Sequence, residues 1–223
     1  MHLESAAMAT NGIQASQTAA FSSSARSGAS DDLPPGVYIV GAKRTPMGAF
    51  QGALSGLKAP ELGSVAIRGA LEQARVSPDQ VSEVVMGNVC SAGVGQAPAR
   101  QASLGASLPV SVDCTTVNKV CSSGMKAVTM GAQSILCGTA EVVVAGGMES
   151  MSNVPYYAPT LRGGARLGHS TLVDGVIADG LWDARHDVHM GECGERCAET
   201  MGFDRAAQDA HATSSHARAT AAE

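Results

Sequence analysis

The sequence predicts an α/β fold in which a mixed, mainly parallel sheet is covered by helices. Short apolar runs alternate with segments of helical periodicity, and strands separated by helices pair in parallel through right-handed crossovers. The run at residues 142–144 is valine throughout, which is typical of a strand covered on both faces. With 223 residues, 44% of them hydrophobic, the chain has enough apolar side chains for such a core.

The first part of the chain predicts two strands and two helices in alternation. Residues 37–41 and 81–89 are short apolar runs, and each is followed by a segment with helical spacing, at residues 61–75 and 99–104. In the longer helix, the apolar positions recur three or four residues apart at Leu62, Val65, Ala66, Ala70 and Leu71.

The alternation continues with a strand at 111–118, a helix at 125–136 and a strand at 141–145. Residues 149–189 then lack regular periodicity and are dense in Gly, Pro, Ser and Asp, and so long an irregular stretch in a compact domain is usually functional. Two further helices are predicted at 190–201 and 205–222.

Residues 1–35 are set apart by their composition. They are rich in Ser and Ala, have no periodic apolar pattern and contain Arg26 as their only Lys or Arg. We interpret them as a disordered tail, with a weak targeting segment as the alternative. The folded part begins at residue 36 and divides into a core at 36–148 and a second region at 149–223.

Composition excludes several classes of function. The net charge of −5 argues against nucleic-acid binding, and no apolar stretch approaches the length needed to cross a membrane. Six cysteines without a convincing secretory signal indicate a reducing compartment. We predict no metal, because nothing completes a four-ligand set around Cys193 and Cys197.

Cys121 is the candidate nucleophile. It lies between a predicted strand and a predicted helix, where free backbone N–H groups and the helix dipole stabilise a thiolate over a thiol. A strand-to-helix turn that lifts a nucleophile clear of a sheet also suits acyl transfer. The alternative is that Cys121 is a small buried hydrophobe, since free cysteine is often buried.

Five motifs resemble the thiolase family, especially its short-chain acetyl-CoA acetyltransferases, and they occur in the family's order. They are VGAKRTPMG at 40–48, GQAPARQ at 95–101, NKVCSSGMKA at 118–127, VAGGMESMS at 144–152 and HMG at 189–191. The resemblance begins near residue 37 and covers only the N-terminal half of a family member. It implies a thiolase-like fold, in which residues 149–223 begin the loop domain that binds coenzyme A.

The resemblance also implies an activity, the reversible condensation of two acetyl-CoA to acetoacetyl-CoA and coenzyme A. Cys121 would carry the acetyl group as a thioester, and Leu181, His189 and Met190 match positions that line the acyl and pantetheine pocket. Coenzyme A thioesters are substrates, so no cofactor is implied. A homo-oligomer is implied for the full-length enzyme, in the cytoplasm or alternatively in mitochondria.

Two alternatives stay open. In the family, the histidine that activates the nucleophile and the cysteine that moves the α-proton come from the C-terminal half, whose motifs are missing from this sequence. The chain is therefore either an acetyltransferase or a truncated, non-catalytic fragment or regulatory partner with one helix surface bare. A ketoacyl synthase or long-chain thiolase shares the same nucleophile chemistry.

Overall fold

The computed structural model describes residues 36–222. The predicted tail or targeting segment at 1–35 lies outside the described residues, as does Glu223. The main elements in chain order are α1 (Ala59–Ala74), β1 (Glu83–Gly87), α2 (Pro98–Gly105), β2 (Asp113–Val117), α3 (Ser123–Leu136), β3 (Val143–Gly147), β4 (Tyr156–Tyr157), β5 (Val173–Asp174), β6 (Trp182–Asp183), β7 (Val188–His189), α4 (Met190–Met201) and α5 (Arg205–Ala222).

The α/β class is confirmed. The main sheet of the described residues has the order β2-β1-β3 and is parallel throughout, with Val85 opposite Thr115 in β2 and Ala145 in β3. Helix α2 connects β1 to β2, and α3 connects β2 to β3. Each strand therefore ends at the same edge of the sheet, which is where ligands bind in open parallel sheets.

The central strand β1 is buried on both faces. Val84 and Met86 belong to the core cluster that includes Ile67 of α1 and Ala102 of α2. Because side chains alternate along a strand, Val85 and Gly87 lie on the opposite face. Helix α3 covers that face, since its first residue, Ser123, lies directly against Gly87. Strand β1 is thus sandwiched between helices, whereas the valine run at 142–144, for which the sequence predicted coverage on both faces, is only half-buried because β3 lies at an edge of the sheet.

The strand prediction at residues 37–41 is wrong. This run has no strand structure, and Ile39 is 81% exposed. The run lies alongside α1 instead. The N–H of Ala42, the residue directly after the run, donates to Oε1 of Gln73 in α1 at 3.0 Å. A cavity of about 350 Å³ is lined by both this run and β3. An apolar run becomes a strand only with a partner about 4.8 Å away, and β3 lies beyond that cavity.

Helix α3 exposes an apolar stripe. Met125 and Leu136 are 75% and 73% exposed, and Val128 between them is 45% exposed. These positions are three, eight and eleven residues apart and share one face of the helix. The predicted bare helix surface of a truncated family member stays a prediction.

The region 149–189 is irregular, as predicted. Its regular structure is limited to two short antiparallel pairs, β4 with β5 and β6 with β7, and single turns of 3₁₀ or π helix. After it, α4 and α5 have the bounds that the sequence predicts. The division of the folded part at residue 148 stays a prediction.

The end of α1 offers a test of backbone strain. Arg75 follows the helix with φ 56°, a left-handed conformation that disfavours residues with a Cβ. We expect Arg75→Gly to raise the free energy of unfolding by roughly 0.5 kcal/mol, because relief of strain exceeds the entropy gained by the unfolded chain. Urea denaturation measures the change.

Glu72→Gly is the matched control within α1. It places glycine at a helical position, so a loss of up to about 1 kcal/mol is expected. A lower unfolding midpoint for Arg75→Gly than for the parent chain would contradict the prediction.

Candidate active site

A cavity of about 680 Å³ lies at the carboxyl ends of β1 and β3. Most of its lining comes from five segments that are distant in sequence, within residues 43–50, 87–90, 120–124, 147–152 and 180–181, and Leu54, Leu62 and Ala66 complete it. Cys121 is among the lining residues and is exposed. The alternative of a buried, structural Cys121 is therefore wrong, since its sulfur faces a space large enough for a ligand.

The turn that carries Cys121 is held by hydrogen bonds. The Ser123 hydroxyl donates to the Val120 carbonyl at 2.6 Å and accepts the Lys119 N–H at 2.8 Å. The Asn118 side-chain oxygen accepts the Val120 N–H at 2.9 Å. Val120 has φ 48°, a left-handed conformation that is costly for a β-branched residue. The turn keeps this strained conformation because its neighbours over-determine it.

Glycines let the start of α3 lie directly on the sheet. A Cβ added at Gly87 would lie 2.7 Å from the Ser123 carbonyl carbon, and Gly124 comes within van der Waals distance of Gly147. Cys121 is consequently held next to the first turn of α3, where the helix dipole favours negative charge. Lys43 and Arg44 add two cations to the lining of the same cavity.

A second thiol lines this cavity but differs in its surroundings. Cys90 is 3% exposed, and burial raises its pKa to about 11, with further contributions from the carboxylates of Glu149 and Asp179. Asp179 also accepts a hydrogen bond from the Tyr157 hydroxyl at 2.5 Å, which raises the pKa of Tyr157 to about 12. Cys90 is thus a protonated wall residue at neutral pH.

The two thiols should react differently with iodoacetamide. At pH 8 only about one Cys90 in a thousand is a thiolate, because its pKa lies about three pH units higher. We expect Cys121 to be alkylated at least roughly a hundredfold faster than Cys90, because thiolate is the reactive form. Peptide mass spectrometry over time measures both rates. Equal rates in the native protein would contradict the prediction, and equal rates in urea serve as its control.

The structure brings together only part of the predicted site. Leu181 lines the cavity with Cys121, whereas His189 and Met190 are not among its lining residues. His189 caps α4 by accepting the Gly191 N–H at 3.0 Å, and its ring stacks edge-to-face on Trp182 at 6.5 Å. The substrate-binding roles of Leu181, His189 and Met190 stay predictions.

Sequence reasoning missed three polar residues that support the site. Asn88, Asn118 and Glu149 each follow a strand of the main sheet, and their side chains bond the loops around Cys121. The signal available in the sequence was their position near the carboxyl ends of predicted parallel strands: Asn88 and Asn118 lie in the last two residues of theirs, and Glu149 lies four residues beyond the third. We call these three residues the strand-end network.

Comparison with known proteins decides the family. Residues 37–223 match the family described as the thiolase N-terminal domain, which is most of the chain and includes every residue of the cavity.

The chain belongs to the thiolase family.

Three relatives of this thiolase chain share one enzyme name. It is 59% identical over 187 residues to an acetyl-CoA acetyltransferase of Schizosaccharomyces pombe, covering 84% of this chain and 47% of the relative. It is 56% identical over 191 residues to the cytosolic acetyl-CoA acetyltransferase ERG10 of Gibberella zeae, covering 86% and 48%. It is 53% identical over 186 residues to the mitochondrial human acetyl-CoA acetyltransferase, covering 83% and 43%.

The thiolase fold is confirmed by a solved structure. The crystal structure of Acat5 thiolase from Ascaris suum in complex with coenzyme A superposes with a TM-score of 0.80 at 43% sequence identity. The match covers 83% of this chain and 48% of that one. The chain thus spans about half the length of the thiolases it matches.

Residues 36–222 hold neither a metal cluster nor a membrane-spanning helix. No group of three or more His, Cys, Asp or Glu residues in this range is placed to hold a metal ion. Among these residues, no helix is long and apolar enough to cross a membrane.

Proposed function

We propose that this chain carries the nucleophile of an acetyl-CoA C-acetyltransferase that interconverts two acetyl-CoA with acetoacetyl-CoA and coenzyme A. The observation that carries the proposal is the exposed Cys121 at the start of α3, inside a cavity with two cations. The names of the relatives support the enzyme class, and the Ascaris suum complex supports a coenzyme A thioester as the ligand.

In the first step, the Cys121 thiolate attacks the thioester carbonyl carbon of acetyl-CoA. A bond forms between Sγ and that carbon, the bond from the carbon to the coenzyme A sulfur breaks, and coenzyme A leaves as a thiolate that takes up a proton. Partial positive charge at the start of α3 stabilises the sulfur anion before attack. The product is an acetyl-cysteine.

In the second step, a second acetyl-CoA loses an α-proton, and the resulting carbanion attacks the acetyl-cysteine carbonyl. The new carbon–carbon bond forms as the bond to Cys121 Sγ breaks, which releases acetoacetyl-CoA and restores the thiolate. By the family resemblance, the groups that move this proton lie in the C-terminal half. The resemblance also supports a homo-oligomer, and relatives named cytosolic and mitochondrial support either compartment.

The two steps can be tested separately. With acetyl-CoA, we expect the chain to gain one acetyl group on the peptide that contains Cys121 and to release an equal amount of coenzyme A. Carbon–carbon bond formation by residues 1–223 alone should be undetectable, because the base that the family uses for the α-proton comes from the C-terminal half. Mass spectrometry measures the first step, and detection of acetoacetyl-CoA measures the second.

The outcomes separate the two candidate functions. An acetylated Cys121 supports the acetyltransferase, whereas no acetylation would favour the non-catalytic fragment. Acetoacetyl-CoA made by this chain alone would show that the acid–base groups lie within residues 1–223, against our expectation.

A further inference from the structure

The strand-end network joins the ends of all three strands of the main sheet. Asn88 follows β1, Asn118 follows β2, and Glu149 lies two residues beyond β3. The backbone adds to this connection, because the Asn88 N–H donates to the Val117 carbonyl at 3.1 Å and the Met148 N–H donates to the Gly87 carbonyl at 2.9 Å. The three strand ends are therefore joined to one another by hydrogen bonds.

Glu149 is the acceptor at the centre of this network. Its Oε1 accepts Asn88 Nδ2 at 2.8 Å, and its Oε2 accepts the Val89 N–H at 2.9 Å and the Cys90 N–H at 3.4 Å. A carboxylate is the side chain that accepts at both ends and donates at neither. The orientation of the buried Asn88 amide follows from this, since the flipped amide would set its oxygen against the carboxylate.

Asn118 connects the loop at 88–90 to the turn at 118–123 that carries Cys121, which we call the nucleophile turn. Its Nδ2 donates to the Val89 carbonyl at 3.4 Å, and its Oδ1 accepts the Val120 N–H at 2.9 Å. A continuous path of hydrogen bonds thus runs from Glu149 through Val89 and Asn118 to Val120, the strained residue directly before Cys121.

We propose that Glu149 is a positioning residue, which holds Cys121 at the start of α3 through Val89, Asn118 and the left-handed Val120. The proposal rests on the proposed function of Cys121 as the nucleophile. A glutamine in place of Glu149 has only one acceptor oxygen, so its NH2 group faces either Asn88 Nδ2 or the N–H groups of the loop at 88–90 and displaces that donor. The Asn118 amide then loses its fixed partner, and Val120 relaxes toward ordinary backbone conformations. The sulfur then moves away from the N–H groups of the first turn of α3.

A charge effect of Glu149 would act in the opposite direction. Glu149 lines the same cavity as Cys121, so removing its negative charge favours the thiolate through space and speeds alkylation. Loss of positioning slows alkylation near neutral pH instead, because the helix terminus then stabilises the thiolate less. Within residues 36–222, the other ionisable side chains that line this cavity are Lys43, Arg44 and Cys90, and they are the same in each variant.

The test is the pH profile of Cys121 alkylation by iodoacetamide in Glu149→Gln, followed by peptide mass spectrometry. We expect a rate at pH 7 that is about twofold to fivefold lower than in the parent chain. Glu72→Gln, which removes an exposed carboxylate of α1, is the matched control and should leave the profile unchanged. A faster or unchanged rate at pH 7 for Glu149→Gln overturns the proposal.

Asn118→Ser tests the path itself. Serine offers Val120 an oxygen acceptor but has no amide to donate to Val89. We expect Cys121 alkylation at pH 7 to slow as in Glu149→Gln, and the variant with both changes should be no slower than the slower single variant. If the two changes slow Cys121 alkylation additively, the proposed path from Glu149 to Asn118 is wrong. An unchanged alkylation rate in Asn118→Ser overturns it as well, and this variant alone tests the path if Glu149→Gln does not fold.

Iodoacetamide needs no thioester binding, so this result is independent of the acetyl-CoA experiment. Absence of acetylation together with the expected profiles would reject the acetyltransferase and leave the positioning role of Glu149 intact.

Discussion

Replacing Cys121 by serine is expected to reduce acetyl transfer from acetyl-CoA to the protein by at least about a thousandfold. A hydroxyl is almost entirely protonated at neutral pH, and the start of α3 cannot offset so large a difference in acidity. The measurement is the amount of acetyl group on the peptide that contains residue 121, together with the coenzyme A released.

Cys137→Ser is the matched control for this change. Cys137 is also an exposed thiol, but it caps the opposite end of α3, where the helix dipole disfavours negative charge. We expect this variant to be acetylated like the parent chain. If acetyl transfer survives in Cys121→Ser and disappears in Cys137→Ser, the nucleophile is Cys137 at the C-terminal end of α3, and the prediction is wrong.

Gly87→Ala is expected to lower the free energy of unfolding by about 3 kcal/mol, at the upper end of the usual cost of overpacking. The added Cβ would lie 2.7 Å from the Ser123 carbonyl carbon and 2.9 Å from the Gly124 nitrogen. Both are backbone atoms, so no side chain can rotate away and α3 must move from the sheet. Urea denaturation gives the change in stability, and Cys121 alkylation should slow in the same variant.

Gly146→Ala provides the comparison in β3. A Cβ there would meet only the Met86 side chain, at 3.6 Å from its sulfur, which is an ordinary contact. Its unfolding midpoint should match or slightly exceed that of the parent, because alanine restricts the unfolded chain. A similar loss of stability in Gly87→Ala and Gly146→Ala would mean that the sheet disfavours alanine at both positions for reasons other than contact with α3.

Most of the fold could be predicted because the periodicity of these segments is strong. The bounds of α4 and α5 agree with the prediction, and the all-valine run lies at β3. The run at 37–41 could not be placed, since apolar composition indicates a tendency to be buried and says nothing about which backbone lies alongside. That is a property of tertiary structure, and here the run lies along α1.

The site was predictable where its chemistry is local. Cys121 and Ser123 lie within one turn, so the sequence predicts a thiol beside a helix start. Asn88, Asn118 and Glu149 are separated by at least 30 residues from one another and meet only because three parallel strands end together. Their roles depend on strand order, which the alternation of elements leaves open between several arrangements.

The strand order β2-β1-β3 has a consequence for how the protein is made. The central strand leaves the ribosome first, β2 next and β3 last, so each new strand can add to an edge that already exists. Between Val117 and Val143 the ribosome adds 26 residues, which takes roughly one to five seconds at ~5–20 residues per second. During that interval β1 and β2 can pair while one edge of β1 is still open, and Glu149, the acceptor of the strand-end network, emerges only after β3. The nucleophile turn is therefore synthesised before the residue that we propose to hold it, and it should reach its final geometry late in synthesis.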